Sequence, residues 1–386
     1  MAVRKTTKIW VKRATVMAAI MSLSACSMFS SKDPRYEPAP LGSYEAELSA
    51  GVRWSVSLSG GAGYGFAPHV VNNSAYAASQ GGQVVKVDIA SGRALWTTNV
   101  NKRLSAGVGA DGNVVAVASS DGTVIALNDQ GVEMWTAKAA SEITVPPLVG
   151  GGIVAVRSTD YRIQAFDART GDLLWSLQRP GPALALKTNI QMEMIDGLLI
   201  SGMPNGRLMI MDAQSGAVQW EGTVAVSQGA TDLERIIDVV GAPQLQGPLL
   251  CGAAYQGRIV CFDVSRGGVP VWDRDFSNSV GPASDGQFLY ASDRRDIMHA
   301  FRLGDGAPVW KQEGLRNRKL SAPAVIPQAV AVGDFDGYVH FLSRSDGRLL
   351  GRVSVGGGEI TSPLIGSDRG VLVQARNGNL VLVGVN

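Results

Sequence analysis

The chain has few of the residues that carry covalent or metal chemistry. Among its 386 residues are three cysteines, Cys26, Cys251 and Cys261, none adjacent to another. Its three histidines, His69, His299 and His340, are scattered with no HExxH or paired spacing. That leaves no Cys/His set at zinc-ligand spacing, and the histidines read as structural. There is no G-x-S-x-G elbow and no Walker loop, so neither a hydrolase nucleophile nor a phosphate cradle is marked. Glycine-rich strings such as "SGGAGYG" and "VGGGE" lack the strand-to-helix setting of a phosphate loop and read as linkers. The acidic turns at Asp111-Gly112, Asp121-Gly122, Asp334 and Asp336 read as hairpin chemistry rather than calcium sites. A strong charge of either sign is missing too: the formal net charge is +2. Even that excess belongs to the first 25 residues, where Arg4, Lys5, Lys8, Lys12 and Arg13 meet no acid. Without these five, 30 basic residues face 33 acidic ones, a net of −3. A near-neutral body lacks the electrostatic footprint of a nucleic-acid binder.

Long hydrophobic runs are also absent. The stretch "ATVMAAIMSLSA" is too short to span a bilayer. Behind its basic flank it reads as an export signal over residues 1–25. "LSAC" at 23–26 resembles the lipobox of bacterial lipoproteins, in which cleavage frees a cysteine for acylation. The resemblance makes Cys26 the lipidated residue; several acyl chains at roughly 0.8 kcal/mol per buried methylene give a stable anchor. Ser27 stands where, in such lipoproteins, Asp favours inner-membrane retention, so the expected address is the periplasmic face of the outer membrane. Residues 26–43, with "SKDPRYEPAP" at their centre, form a flexible tether.

What the chain has in quantity is a repeat. Trp54, Trp96, Trp135, Trp175, Trp220, Trp272 and Trp310 recur at spacings of 42, 39, 40, 45, 52 and 38 residues. From Trp96 onward each is preceded by an alternating strand and a turn, as in "GQVVKVDIASGRALW" and "YRIQAFDARTGDLLW". Val85, Val87 and Ile89 give one buried strand face. Asp88 and Ser91 cap the turn, and Gly92 takes the backbone that the turn needs. The tryptophan is expected on the outermost strand, buried against the next unit. A period near 42 with short strands means four strands per unit, which is a propeller blade. The C-terminus supplies three strands of a last blade, and "GVRWSVSL" at 51–58 supplies the fourth. The expected fold is therefore all-β, an eight-bladed β-propeller over residues 44–386, closed by its N-terminal strand.

The phrase Asp-x-x-Ser/Thr-Gly-x-x-x-Trp is similar to that of the pyrroloquinoline-quinone dehydrogenases. Those enzymes need adjacent cysteines, a calcium set and an aspartate base, and this chain has no vicinal cysteines. Cys251 and Cys261, on neighbouring strands of one hairpin, are either a cross-strand disulfide or two buried small residues. With its lipobox, tether, length and loop arrangement, the whole chain resembles the BamB family, lipoproteins of the bacterial outer-membrane β-barrel assembly (BAM) machinery. The resemblance implies a non-enzymatic scaffold without cofactor. It would bind the periplasmic POTRA domains of BamA and contact other BAM subunits and unfolded outer-membrane proteins. An exported quinoprotein-like dehydrogenase and a glycan-binding propeller are the alternatives.

The repeat also locates its own insertions. From Trp175 to Gly197 the chain runs 22 residues and from Trp220 to Gly247 it runs 27, against 14–19 elsewhere. Both excesses fall in the same connection of successive blades, which sets them side by side on one face. "QRPGPALALKT" contributes Leu184, Leu186 and Lys187; "AVSQGATDLERIIDVVGAP" contributes Arg235, Ile236, Ile237 and Asp238, with Thr231 as N-cap of a short helical turn. Apolar anchors with a charged rim suit a partner surface, unless those side chains fold back onto the blades. By the resemblance, Leu184, Leu186, Lys187, Arg235 and Asp238 are partner-binding. Lys187 stands where arginine is usual, and Val240 replaces a second acid.

Overall fold

The computed structural model describes residues 33–181, 188–227, 229, 231 and 233–385. The export signal, Cys26 and the first part of the tether lie outside the described residues. Two units meet between Ala39 and Pro40. In the first, Pro34–Tyr36 forms a single 3-10 turn, with Asp33 and Arg35 paired at 2.7 Å. Among the described residues no helix is long and apolar enough to cross a membrane.

The second unit consists of eight four-stranded antiparallel sheets. Blade 1 comprises His69–Val71, Ser74–Ala78, Gln83–Asp88 and Ala94–Asn99. Blades 2 to 8 follow over 104–138, 148–178, 192–223, 239–275, 283–312, 324–354 and 365–385. The first strands of successive blades touch one another and so surround the axis. The middle strands are covered on both faces by neighbouring blades, so runs such as Val114–Ser119 and Ile153–Arg157 are buried throughout. The fourth strands alternate, as Leu173–Gln178 does, because only one side meets a neighbour. The last blade is completed by Ala50–Val56, which pairs antiparallel with Leu380–Val385. This N-terminal strand closes the ring and covers an edge that would otherwise be open.

Each tryptophan is held by the next blade. Trp54 Nε1 donates to Ile89 O at 2.9 Å, Trp96 to Asp129 O at 2.7 Å and Trp135 to Ala168 O at 2.9 Å. Trp175, Trp272 and Trp310 repeat the contact with Ala213 O, Leu303 O and Arg344 O at 2.9, 2.7 and 2.9 Å. The acceptors lie in the turns between the third and fourth strands of the next blade. In blade 1, Asp88 Oδ1 accepts from Ser91 N at 2.9 Å and Ser91 Oγ at 2.6 Å, fixing the turn. Gly92, at φ +73°, then lies flat on the Trp54 ring, and a Cβ there would enter the indole. The residue before each of these tryptophans, Leu95 or Met134 for example, is the extra residue of a bulge against the third strand. Such bulges interrupt the outer edges and leave these side chains exposed.

At the seam the tryptophan is missing because the turn it would meet is missing. Gly351 faces Leu48 instead. Glu47 N and Leu48 N both donate to Leu350 O at 2.9 Å, and Arg348 grips Glu47 with two hydrogen bonds of 2.9 and 2.6 Å. Cys251 and Cys261 are directly opposed in register, with Cα atoms 4.1 Å apart, and form a disulfide. Of the two readings their spacing allowed, the disulfide is the one observed.

Candidate functional site

In an antiparallel meander the turns between third and fourth strands lie on one face. The blade-to-blade connections lie on the other. The two long connections, 179–191 and 224–238, therefore share the face opposite the Trp-binding turns, between blades 3, 4 and 5. The first is joined to the strand that follows the second, Val239–Gln246. Gly241 N donates to Asn189 O at 2.8 Å, Gln191 N donates to Gly241 O at 3.1 Å, and Ile190 bridges Gly241. Gly241, at φ +71°, also packs on the Gly281 backbone so closely that neither tolerates a side chain.

The first connection leaves its blade at Arg179, 3.4 Å from Glu221, and passes Gly181, which sits on the Tyr161 ring. Leu184, Leu186 and Lys187 lie outside the described residues. The chain returns at the centre of the ring. Thr188 Oγ1 donates to Ser279 O at 2.6 Å, and buried Asn189 donates through Nδ2 to Thr361 O, reaching the connection between blades 7 and 8. Beside this crossing, Tyr64, Arg294, Asp296, Lys319 and Glu359 line a cleft of about 310 Å³. Burial pushes the Asp296 carboxyl up to about 6, against the pull of the Leu320 and Lys319 amides.

The second connection contains the expected helical turn. Thr231 N donates to Glu234 Oε2 at 3.0 Å, Glu234 N to Thr231 Oγ1 at 3.3 Å, and Arg235 N to Thr231 O at 3.1 Å. These contacts form a reciprocal capping box. Arg235 is exposed, with Nε on Gly229 O at 3.0 Å. Ile236 and Ile237 turn inward, and Ile237 joins the core between blades 4 and 5. For these two the fold-back alternative is the one realised, because a single turn ends before they can face out. Asp238, 1% exposed, is buried with them, and Val240 is equally buried on the first strand of blade 5. The apolar side chains that do face solvent are Val226 and Leu233, each 67% exposed. Val226 borders a groove of about 500 Å³ that also holds Glu234, Arg258, Asp273 and Asp275. The sequence contained no periodic signal for this choice, since both orientations fit so short a turn.

Elsewhere the titratable groups are absorbed by the scaffold. His340 Nε2 and Arg318 Nε both lie 2.8 Å from buried Asp334 Oδ2. Burial raises the Asp334 carboxyl, but His340, the Tyr338 amide and Arg318 outweigh it and hold it below the usual range. Burial lowers His340 despite Asp334, leaving the imidazole neutral. Asp334 Oδ1 accepts from Asp336 N and Tyr338 N at 3.0 Å, so the acidic turn is indeed hairpin chemistry with an ion pair added. Among the described residues no group of three or more His, Cys, Asp or Glu is arranged to hold a metal.

The comparisons with known proteins agree with this architecture. The family model described as "Outer membrane protein assembly factor BamB" matches residues 47–105 and 80–312. The protein of that name from Bordetella pertussis is 55% identical over 373 residues, 97% of each chain. The crystal structure of BamB from Moraxella catarrhalis superposes with a TM-score of 0.80 at 24% identity, over 87% of this chain and 100% of that one. A europium-containing methanol dehydrogenase shares the fold alone, with a TM-score of 0.67 at 15% identity over 84% of each chain. The chain belongs to the BamB family of outer membrane protein assembly factors.

Proposed function

We propose that this chain is a non-enzymatic, lipid-anchored scaffold of the BAM complex. It is attached through Cys26 to the periplasmic face of the outer membrane and binds the POTRA domains of BamA. The observation that carries this reading is the pair of long connections on one face of an otherwise regular ring, the first hydrogen-bonded to Gly241, three residues past the end of the second. Loops held by a rigid frame are suited to recognition. In this reading Leu184 and Leu186 are the apolar anchors, and Lys187 and exposed Arg235 supply the charged rim. Lys187 keeps the charge of the arginine usual in the family without its bidentate fork. Asp238, being buried, serves the contact from beneath.

The test is co-purification of full-length protein with BamA. Leu184→Glu is expected to weaken capture by at least about tenfold, as for an anchor at the centre of an interface, with the melting temperature unchanged. Capture at the native level would move the interface elsewhere. Cys26→Ala is expected to release the protein from the membrane fraction. Added pyrroloquinoline quinone and calcium are expected to give no dye-linked alcohol oxidation; sustained turnover would overturn the scaffold reading.

A further inference from the structure

The cleft beside the crossing lies on the same face as the long connections. Its walls are the inner ends of blade-to-blade connections, at Thr188, Lys319 and Glu359–Thr361 for example, and the turn that carries Arg294 and Asp296. That turn joins the second and third strands of blade 6, Phe288–Ser292 and Met298–Arg302. In an antiparallel meander such turns share the face of the connections. Thr188 immediately follows Lys187, so the cleft continues the first long connection toward the axis.

The acids of the cleft are already engaged. Asp296 accepts from Lys319 N at 2.8 Å through Oδ2 and from Leu320 N at 3.0 Å through Oδ1. Glu359 is held by Arg376 at 2.5 Å. The groups that can donate are not engaged in this way. Arg294 is exposed and has no hydrogen bond or ion pair among the described residues. Lys319 Nζ stands 3.9 Å from Glu359 Oε1, too far for a hydrogen bond. Thr361 lines the cleft and is 8% exposed, yet its hydroxyl has no partner among the described residues. In charge, Arg294, Lys319 and Arg376 stand against Asp296 and Glu359, three cations to two acids. The cleft therefore has a cation to spare and free donors around it.

We propose that this cleft is a second contact site for the partner of the long connections, and that it takes a carboxylate side chain, an Asp or Glu of BamA, between Arg294 and Lys319. The proposal rests on the reading of this face as the BamA-binding surface. A carboxylate suits the site because it only accepts hydrogen bonds, and the guanidinium fork of Arg294 can serve both of its oxygens. Within the walls of a cleft such a pair is screened less than on an open surface. The apolar anchors of the long connection then supply affinity, and the charge pair fixes the orientation in which the partner sits.

The test uses full-length protein and BamA. It reads the Kd at low and high salt, the melting temperature and, by mass spectrometry, the products of a zero-length carbodiimide that condenses amines with carboxylates. Arg294→Gln is expected to weaken binding by about tenfold, the low end for a close interfacial charge pair. Arg294→Glu should weaken it further, because it sets like charges together. Both should flatten the salt dependence and leave the melting temperature unchanged, since Arg294 has no partner to lose among the described residues. Condensation is expected to join Lys319 to an Asp or Glu of BamA. Native affinity in Arg294→Glu while Leu184→Glu fails to bind would overturn the proposal. So would the absence of any Lys319 product with BamA. If Arg294→Glu does not fold, Arg294→Gln takes its place in the comparison. If Leu184→Glu also binds normally, it is the reading of the long connection that fails. The cleft is then judged separately, by the affinity of the Arg294 variants and by the Lys319 product.

Discussion

On the face of the turns that meet tryptophan, each blade repeats one contact. Gly131 lies on Trp96, Gly171 on Trp135, Gly216 on Trp175 and Gly306 on Trp272, with the indole N–H satisfied by the next blade in the pairs from Trp96, Trp135, Trp175 and Trp272. On the opposite face, between blades 3 and 5, no such repeat exists among the described residues. Asn189 reaches Thr361 and Thr188 reaches Ser279, each contact used once among the described residues. The first face is apolar, local and redundant, which suits a frame. The second depends on single polar contacts between distant parts of the chain, which suits a surface whose shape must be particular. The difference teaches that rigidity and recognition are kept apart in this ring.

The sharpest way to break the comparison is to damage the frame alone. Trp135→Ala removes a side chain only 8% exposed and should cost about 3–5 kcal/mol in chemical denaturation, as large core truncations do. A smaller loss would mean that the neighbouring locks share the load. Next is the disulfide, which closes a span of ten residues within one hairpin. Replacing both Cys251 and Cys261 with alanine should cost about 2 kcal/mol, because a short closed loop restrains the unfolded chain only modestly. Capture of BamA should stay intact, since the bridge lies within the core between blades 5 and 6.

The smallest effect concerns the second face. Glu193, on the first strand of blade 4 just beyond the crossing connection, is pushed by burial up to about 7 from 4.5. Between those values the unfolded chain releases its proton first, so the contribution to stability falls as pH rises from about 4.5 through 7. Glu193→Gln should therefore gain about 1 kcal/mol at pH 8 and nothing near pH 4. Melting curves at the two pH values check this; an equal gain at both would place the benefit in packing instead.

Much of the frame was legible from residues alone. The tryptophan period set the blade count, and the incomplete C-terminal blade pointed to "GVRWSVSL" as its missing strand, which Ala50–Val56 supplies. Glycine stands in the tryptophan position at Gly351, and the cause, Leu48 lying in that place, was not legible. At the candidate site the position of both insertions could be read, but not the facing of their side chains. Ile236, Ile237 and Asp238 sit in one short turn where no period is long enough to separate inside from outside.

What the sequence determined by itself is the ring. Its strands, turns and tryptophan locks are each specified within one blade and the next, so local pattern and apolar burial suffice. What only the tertiary structure decided is the crossing from Asn189 to Thr361 and from Thr188 to Ser279. Those contacts join segments that become neighbours only after the ring closes, and the low-dielectric interior then makes each polar group depend on the other.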